Sequence, residues 1–315
     1  MKPCVLPFVF FLTAGMFLCF PQGFPTVPAN QPVARSDENS MTAHRELLEK
    51  AKKGRIDIYF EGDSITRRWG ATDYPELLAN WKQNFFGWNA ADFGWGADNI
   101  QNILWRLNNE ELDDINPKII VLLAGTNNVG NRVSTDVEAK VEDVTRGIRA
   151  ILDIMRAKAP EATIILMGIF PRNDIIAVMP TIKKINENIS KFADGKRIRF
   201  LDVTDKLTDS EGKLFEGVMN PDKLHPAIKG YQIWADALKP LFTELLGPPA
   251  KEDLAPPPTG DPSAKGRSKI SGPGSALNTW TFLPAMVMPS PPEPCSVTAP
   301  LVWRVMSRSM TTCSA

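Results

Sequence analysis

The chain has 315 residues, 43% hydrophobic and 23% charged, and its 36 basic side chains balance 36 acidic ones to a formal net charge of zero. A chain of this length buries a sizeable core in one or two domains, and its charge balance gives no electrostatic case for nucleic acid or an anionic membrane surface. The four cysteines lie near the two ends (Cys4, Cys19, Cys295, Cys313), which supports neither a disulfide framework nor a zinc site between them; of the two histidines, His44 and His225, only His225 is placed for chemistry in the core.

Met1 to Phe20 opens with Lys2 and continues as an apolar run from Val5, the pattern of an export signal and short for a full bilayer span. Val27-Pro28-Ala29 offers small residues at the right offsets for cleavage after Ala29, which makes residues 1–29 a signal peptide and the protein secreted or periplasmic. An uncleaved anchor is the competing reading and the one route to a membrane. Cys19 is a weak lipidation site because Leu18 precedes it.

Residues 30–54 form a linker and then a helix over Thr42–Lys53, with His44 expected on a solvated face and Gly54 as the stop. Ile56 to Glu61 reads as a buried strand running into Gly62-Asp63-Ser64. A helix follows from Tyr74 to about Phe86, then a strand over Trp88–Phe93, a turn at Gly94–Asp98 and an amphipathic helix over Asn99–Leu107. Glu110-Glu111 and Asp113-Asp114 read as a solvated helix end, and Trp69, Trp95 and Trp105 as core packing. Ile119–Leu123 is a continuous apolar run, as suits a parallel strand covered on both faces.

Gly125-Thr126-Asn127-Asn128 follows that strand directly. Ser134 or Thr135 is expected to cap a helix ending near Ala159, Thr163–Met167 is a fourth strand, Met179–Phe192 a helix and Ile198–Val203 a fifth strand. Asp222-Lys223-Leu224-His225-Pro226 forms a loop before the closing helix Ile228–Leu246. Strand and helix alternate throughout, so residues 55–246 read as one α/β domain with a five-stranded, mostly parallel sheet. From Gly247 to Ala315 proline runs replace periodicity, and the segment is expected to be a linker or disordered tail.

Three turns, Gly62–Ser64, Gly94–Asp98 and Gly125–Asn128, each follow a strand end, where ligands bind in open α/β sheets. A serine alcohol needs a neutral imidazole to take its proton and a carboxylate to fix that imidazole. Ser64, His225 and Asp222 supply these types, and the three-residue spacing lets Asp222 reach back to the ring. The Ser64 and Ala97 backbone N–H groups and the Asn127 amide are the candidate donors for a developing oxyanion.

At these residues the sequence resembles the SGNH hydrolase, or GDSL esterase/lipase, family. The resemblance implies a three-layer flavodoxin-like fold with strand order 2-1-3-4-5, the nucleophile at Ser64, the Asp-x-x-His pair at Asp222 and His225, and the oxyanion amide at Asn127. Asn128 stands where the family usually has aspartate, and Ala97 where it usually has glycine. Within the family, Phe93–Gly96, Leu104–Leu107 and Gly125–Asn128 look most like the catalytic subunits of platelet-activating-factor acetylhydrolase and related bacterial esterases.

Other readings fit less well. Gly94-x-Gly96 lacks the third glycine of a dinucleotide site, Asn99 standing in its place, and a silent binding module has no need of serine, asparagine, aspartate and histidine together. The motifs together imply a serine esterase for short-chain acyl esters, chiefly acetyl and carried on carbohydrates, with no cofactor and no metal. A lysophospholipase or thioesterase of the same family is the alternative.

Overall fold

Alternation decides the layering. The computed structural model describes residues 27–264. Its strands are β1 (Ile58–Gly62), β2 (Ala90–Asp92), β3 (Ile119–Leu123), β4 (Thr163–Met167) and β5 (Ile198–Leu201), all parallel, in the order β2-β1-β3-β4-β5. Because successive side chains point to opposite faces, Tyr59, Ile120, Leu122, Ile164 and Leu166 enter one buried cluster. Ile58, Phe60, Ile119, Val121, Leu123, Ile165 and Met167 enter another on the opposite face.

Helices cover both clusters. On the first lie α1 (Glu38–Ala51), α4 (Ile100–Asn108), α6 (Val137–Lys158) and α7 (Met179–Ile189). On the second lie α2 (Ser64–Gly70), α3 (Pro75–Phe85) and α9 (Ile228–Leu246), where Trp69, Trp81, Phe85, Trp234 and Phe242 crowd around Phe60. Two single-turn helices, α5 (Thr126–Val129) and α8 (Thr204–Leu207), sit at strand ends. The all-parallel sheet and its strand order are those implied by the family resemblance.

Several expectations need correction. Asp136, and neither Ser134 nor Thr135, caps α6, its carboxylate accepting the Ala139 N–H at 2.9 Å. His44 is not solvated: it is buried and its Nδ1 lies 3.1 Å from Glu111 Oε1, so Glu111 is no solvated helix end either. Trp69 and Trp95 are buried, as core packing requires.

The domain also extends past both expected boundaries. Ala29, expected as the last residue before a cleavage point, is fully buried and its N–H donates to Asp143 Oδ1 at 3.0 Å, so it packs on the core. Residues 248–264 form a strap over the β2 edge of the sheet. The Arg55 N–H donates to Leu254 O (2.8 Å), the Leu254 N–H to Asn89 Oδ1 (2.7 Å), the Ala250 N–H to Gly87 O (2.9 Å) and the Thr72 N–H to Thr259 O (3.0 Å). The first part of the expected tail is thus held by main-chain hydrogen bonds, which need no hydrophobic periodicity. The rest of that tail and residues 1–26 lie outside the described residues.

Candidate active site

The first element of the site is the break between β1 and α2. The Asp63 carboxylate caps the helix by accepting the Ile65 N–H at 2.9 Å, which fixes Ser64 as the first helical residue. Asp63 is fully buried, and burial pushes its carboxyl up to about 7. Capping thus explains Asp63, and Ser64 is left pointing its hydroxyl elsewhere.

That hydroxyl meets the loop before α9. Ser64 Oγ lies 2.9 Å from His225 Nε2, and His225 Nδ1 lies 2.8 Å from Asp222 Oδ2. The other Asp222 oxygen accepts the backbone N–H groups of Leu224 (3.0 Å) and His225 (2.9 Å), so the carboxylate is clamped within its own turn. Burial acts to raise the Asp222 carboxyl, but these N–H bonds and the ring outweigh it and hold it below the usual range. Burial pushes the His225 imidazole below its ordinary value, and Arg68 adds to this while Asp222 and Asp174 oppose it. A neutral ring facing a hydroxyl is the state a general base needs.

The second turn reaches the site because β1–β2 pairing runs on beyond the strand. The Phe93 N–H donates to Phe60 O at 2.8 Å and the Trp95 N–H to Gly62 O at 3.0 Å, laying Gly94–Asp98 beside Gly62–Ser64. Ala97 sits there at φ 61°, in the left-handed region that favours glycine. Alanine therefore adopts the turn, at a cost in strain.

In the third turn Gly125 takes φ 114°, which a side chain would resist, and starts α5. The Asn127 amide donates to the Asp98 backbone carbonyl at 2.8 Å, joining the second and third turns. Asn128 Oδ1 accepts the Ile100 N–H at the start of α4 (2.8 Å) while its Nδ2 donates to Gln101 Oε1 (2.8 Å). It supports the loop and is not placed as a donor to the crevice. Ser64, Asp222 and His225 are therefore brought together directly, and Ala97 and Asn127 lie on turns that converge beside them.

A family model for the GDSL-like Lipase/Acylhydrolase family matches residues 60–233. The chain belongs to that family. It is 30% identical over 241 residues to platelet-activating factor acetylhydrolase IB subunit alpha1 of Bos taurus, covering 75% of this chain and 97% of that protein. It is also 30% identical over 217 residues to the alpha2 subunit of Rattus norvegicus (67% and 87%). A solved GDSL-like lipase from Bacteroides thetaiotaomicron shares the fold, with a TM-score of 0.51 at 20% identity over 65% of this chain and 98% of that one. This GDSL-like acylhydrolase is an ester hydrolase.

Behind the crevice the acylhydrolase carries a buried ion cluster that sequence reasoning missed. Arg106 on α4 donates to Glu61 Oε1 (2.5 Å), Asp98 Oδ2 (2.8 Å), Phe93 O (2.9 Å) and Glu111. One guanidinium thus ties the end of β1 to the turn carrying Ala97. Burial pushes the Glu61 carboxyl upward, with Arg106 opposing it. The Leu104–Leu107 motif was the available signal, since it sets an arginine among the buried leucines of an amphipathic helix.

Arg172 does the equivalent on the other side. Almost fully buried, it pairs with Asp174 and donates to Thr126 O (3.3 Å) and Asn131 Oδ1 (3.0 Å), while the Asn173 N–H donates to Lys223 O (3.0 Å). The segment after β4 therefore links the Asn127 turn to the histidine loop. Among the described residues no group of three or more His, Cys, Asp or Glu is arranged to hold a metal.

Proposed function

We propose that the protein is a serine esterase acting on short-chain acyl esters through an acyl-enzyme on Ser64. The observation that carries this is the Ser64–His225–Asp222 relay, with its two contacts of 2.9 and 2.8 Å. His225 Nε2 takes the hydroxyl proton as Oγ attacks the ester carbonyl carbon, and Asp222 stabilises the imidazolium. The carbonyl oxygen becomes an oxyanion, for which the Ser64 and Ala97 N–H groups and the second Asn127 N–H are the donors. Collapse returns the proton to the leaving alcohol, and water activated by His225 then releases the acid.

Acetyl esters are the favoured substrates. The support is the likeness to relatives named as acetylhydrolases, at 30% identity over most of both chains. An exported enzyme, as the N-terminal segment suggests, meets O-acetylated carbohydrates, which makes these the favoured alcohol half.

Two measurements test the proposal. A fluorophosphonate should label the full chain and fail to label folded Ser64→Ala; persistent labelling overturns the nucleophile. Each methylene a closed acyl pocket excludes costs about 1–3 kcal/mol, so rates on acetyl, butyryl and octanoyl esters should fall steeply. Faster octanoyl hydrolysis below micelle formation would replace this reading with a lysophospholipase or thioesterase.

A further inference from the structure

Arg68 has no part in the relay as described, yet it stands against it. It follows Ser64 by four residues on α2, one helical turn on, so both side chains lie on the same helix face. Its Nη1 is 3.6 Å from Asp222 Oδ2, the oxygen that accepts the hydrogen bond of the His225 Nδ1–H. Its guanidinium lies over the Tyr74 ring, 5.4 Å from the centroid. That stacking restrains a side chain that would otherwise sample solvent. Arg68 and Tyr74 also line an open cavity of about 640 Å³ beside the histidine loop, together with Asn220 and Ile228.

We propose that Arg68 is a positioning residue of this hydrolase: from α2 it sets its positive charge against the Asp222–His225 pair and so fixes the pH at which the pair becomes competent. The inference rests on the esterase reading for its catalytic meaning, but the electrostatic relation is independent of it. At 3.6 Å the contact is a charge interaction rather than a close hydrogen bond, so Arg68 does not displace the ring from Asp222. An exposed ion pair contributes little to stability. Here the side chains are 25% and 43% exposed, so the pair is a weak candidate for a structural role, whereas the buried ring bonded to Asp222 responds strongly to charge.

The sign follows from the charges around the imidazole. The charges that act on it are Asp222 on its own loop, which is bonded to the ring, Asp174 from the segment after β4, itself paired with Arg172, and Arg68 from α2, which is paired with Asp222. The two carboxylates favour the imidazolium and Arg68 disfavours it. Removing the arginine charge therefore keeps the ring protonated to higher pH, and removing Asp174 does the reverse.

The chain's two histidines make the test direct, because His225 ring resonances are assigned by their loss in His225→Gln. NMR titration of the full chain should place the His225 midpoint higher in Arg68→Gln and in Arg68→Met by roughly half a pH unit. Arg68→Lys should restore it and Asp174→Asn should lower it. The acid limb of kcat/KM on an acetyl ester should move with the NMR midpoint. A midpoint unmoved in both charge-removing variants, or lowered in them, overturns the inference. Wild-type protein that lacks esterase activity but shows these NMR shifts removes the esterase reading and leaves this one standing.

Discussion

The Asn127 side chain and the Asp98 backbone carbonyl are joined at 2.8 Å, and that bond holds the turns after β2 and β3 together. An amide has two N–H donors, so this use leaves one for the crevice. Asn127→Ala removes both the tie and the donor. Turnover should fall by about 10²–10³-fold, the scale for one oxyanion donor, with the fold intact by circular dichroism. A change of less than about threefold in kcat would remove Asn127 from the site.

Ala97 allows a second test of the same region. A left-handed non-glycine residue costs about 1–2 kcal/mol, and glycine returns part of that through its larger unfolded-state entropy. Ala97→Gly should therefore raise stability by up to about 1 kcal/mol, a Tm increase of roughly 2–4 °C in a domain of this size. The N–H stays in place, so kcat should hardly change. A lower Tm would show that the alanine methyl contributes packing that outweighs its backbone strain.

The strands and the triad were legible because each leaves a local signal. Ile119–Leu123 is a run of buried side chains, and Asp222 and His225 sit in one turn. The ion cluster was not legible, since its members are far apart in the chain: Arg106 meets Glu61 45 positions away and His44 meets Glu111 at a distance of 67. A charged residue on an amphipathic helix reads as solvated unless its partner is known, and only the fold brings the partner. The strap over β2 leaves no sequence signal for another reason. Its bonds either pair main-chain groups with Arg55, Thr72 and Gly87 or join a main-chain N–H to a side-chain oxygen far off in the sequence (Leu254 to Asn89, Gly87 to Asp253, Asp261 to Asp73), and hydrophobic patterning records neither kind.

The ion cluster has a clear energetic consequence. Arg106→Met leaves Glu61, Asp98 and Glu111 buried around a lost cation, and stripping one partner from a buried charge network costs about 3–5 kcal/mol. Urea denaturation should show that loss. Arg149→Met, which removes an exposed helical pair with Asp153, should cost no more than about 0.5 kcal/mol. Equal costs for the two would mean that the Arg106 network is replaced by water without penalty.

The strap carries part of the domain's stability. A chain ending at Gly247 loses the main-chain bonds to Arg55, Gly87 and Thr72, the Asp253 carboxylate that accepts the Gly87 N–H (2.8 Å) and the Asp261 N–H that donates to Asp73 (3.0 Å). A chain ending at Ala264 keeps them all. The shorter chain should melt about 5 °C or more below the longer one, given roughly 2–4 °C per kcal/mol at this size. Gly54 supplies an independent check, because a Cβ there would lie 2.5 Å from Pro256 N and 2.6 Å from Leu254 O, both backbone atoms that cannot swing aside. Gly54→Ala should therefore lower the Tm of the chain ending at Ala264 and have little effect once the strap is gone. Equal effects in the two chains would show that Gly54 matters for ending α1 alone and that the strap contributes no stability through this contact.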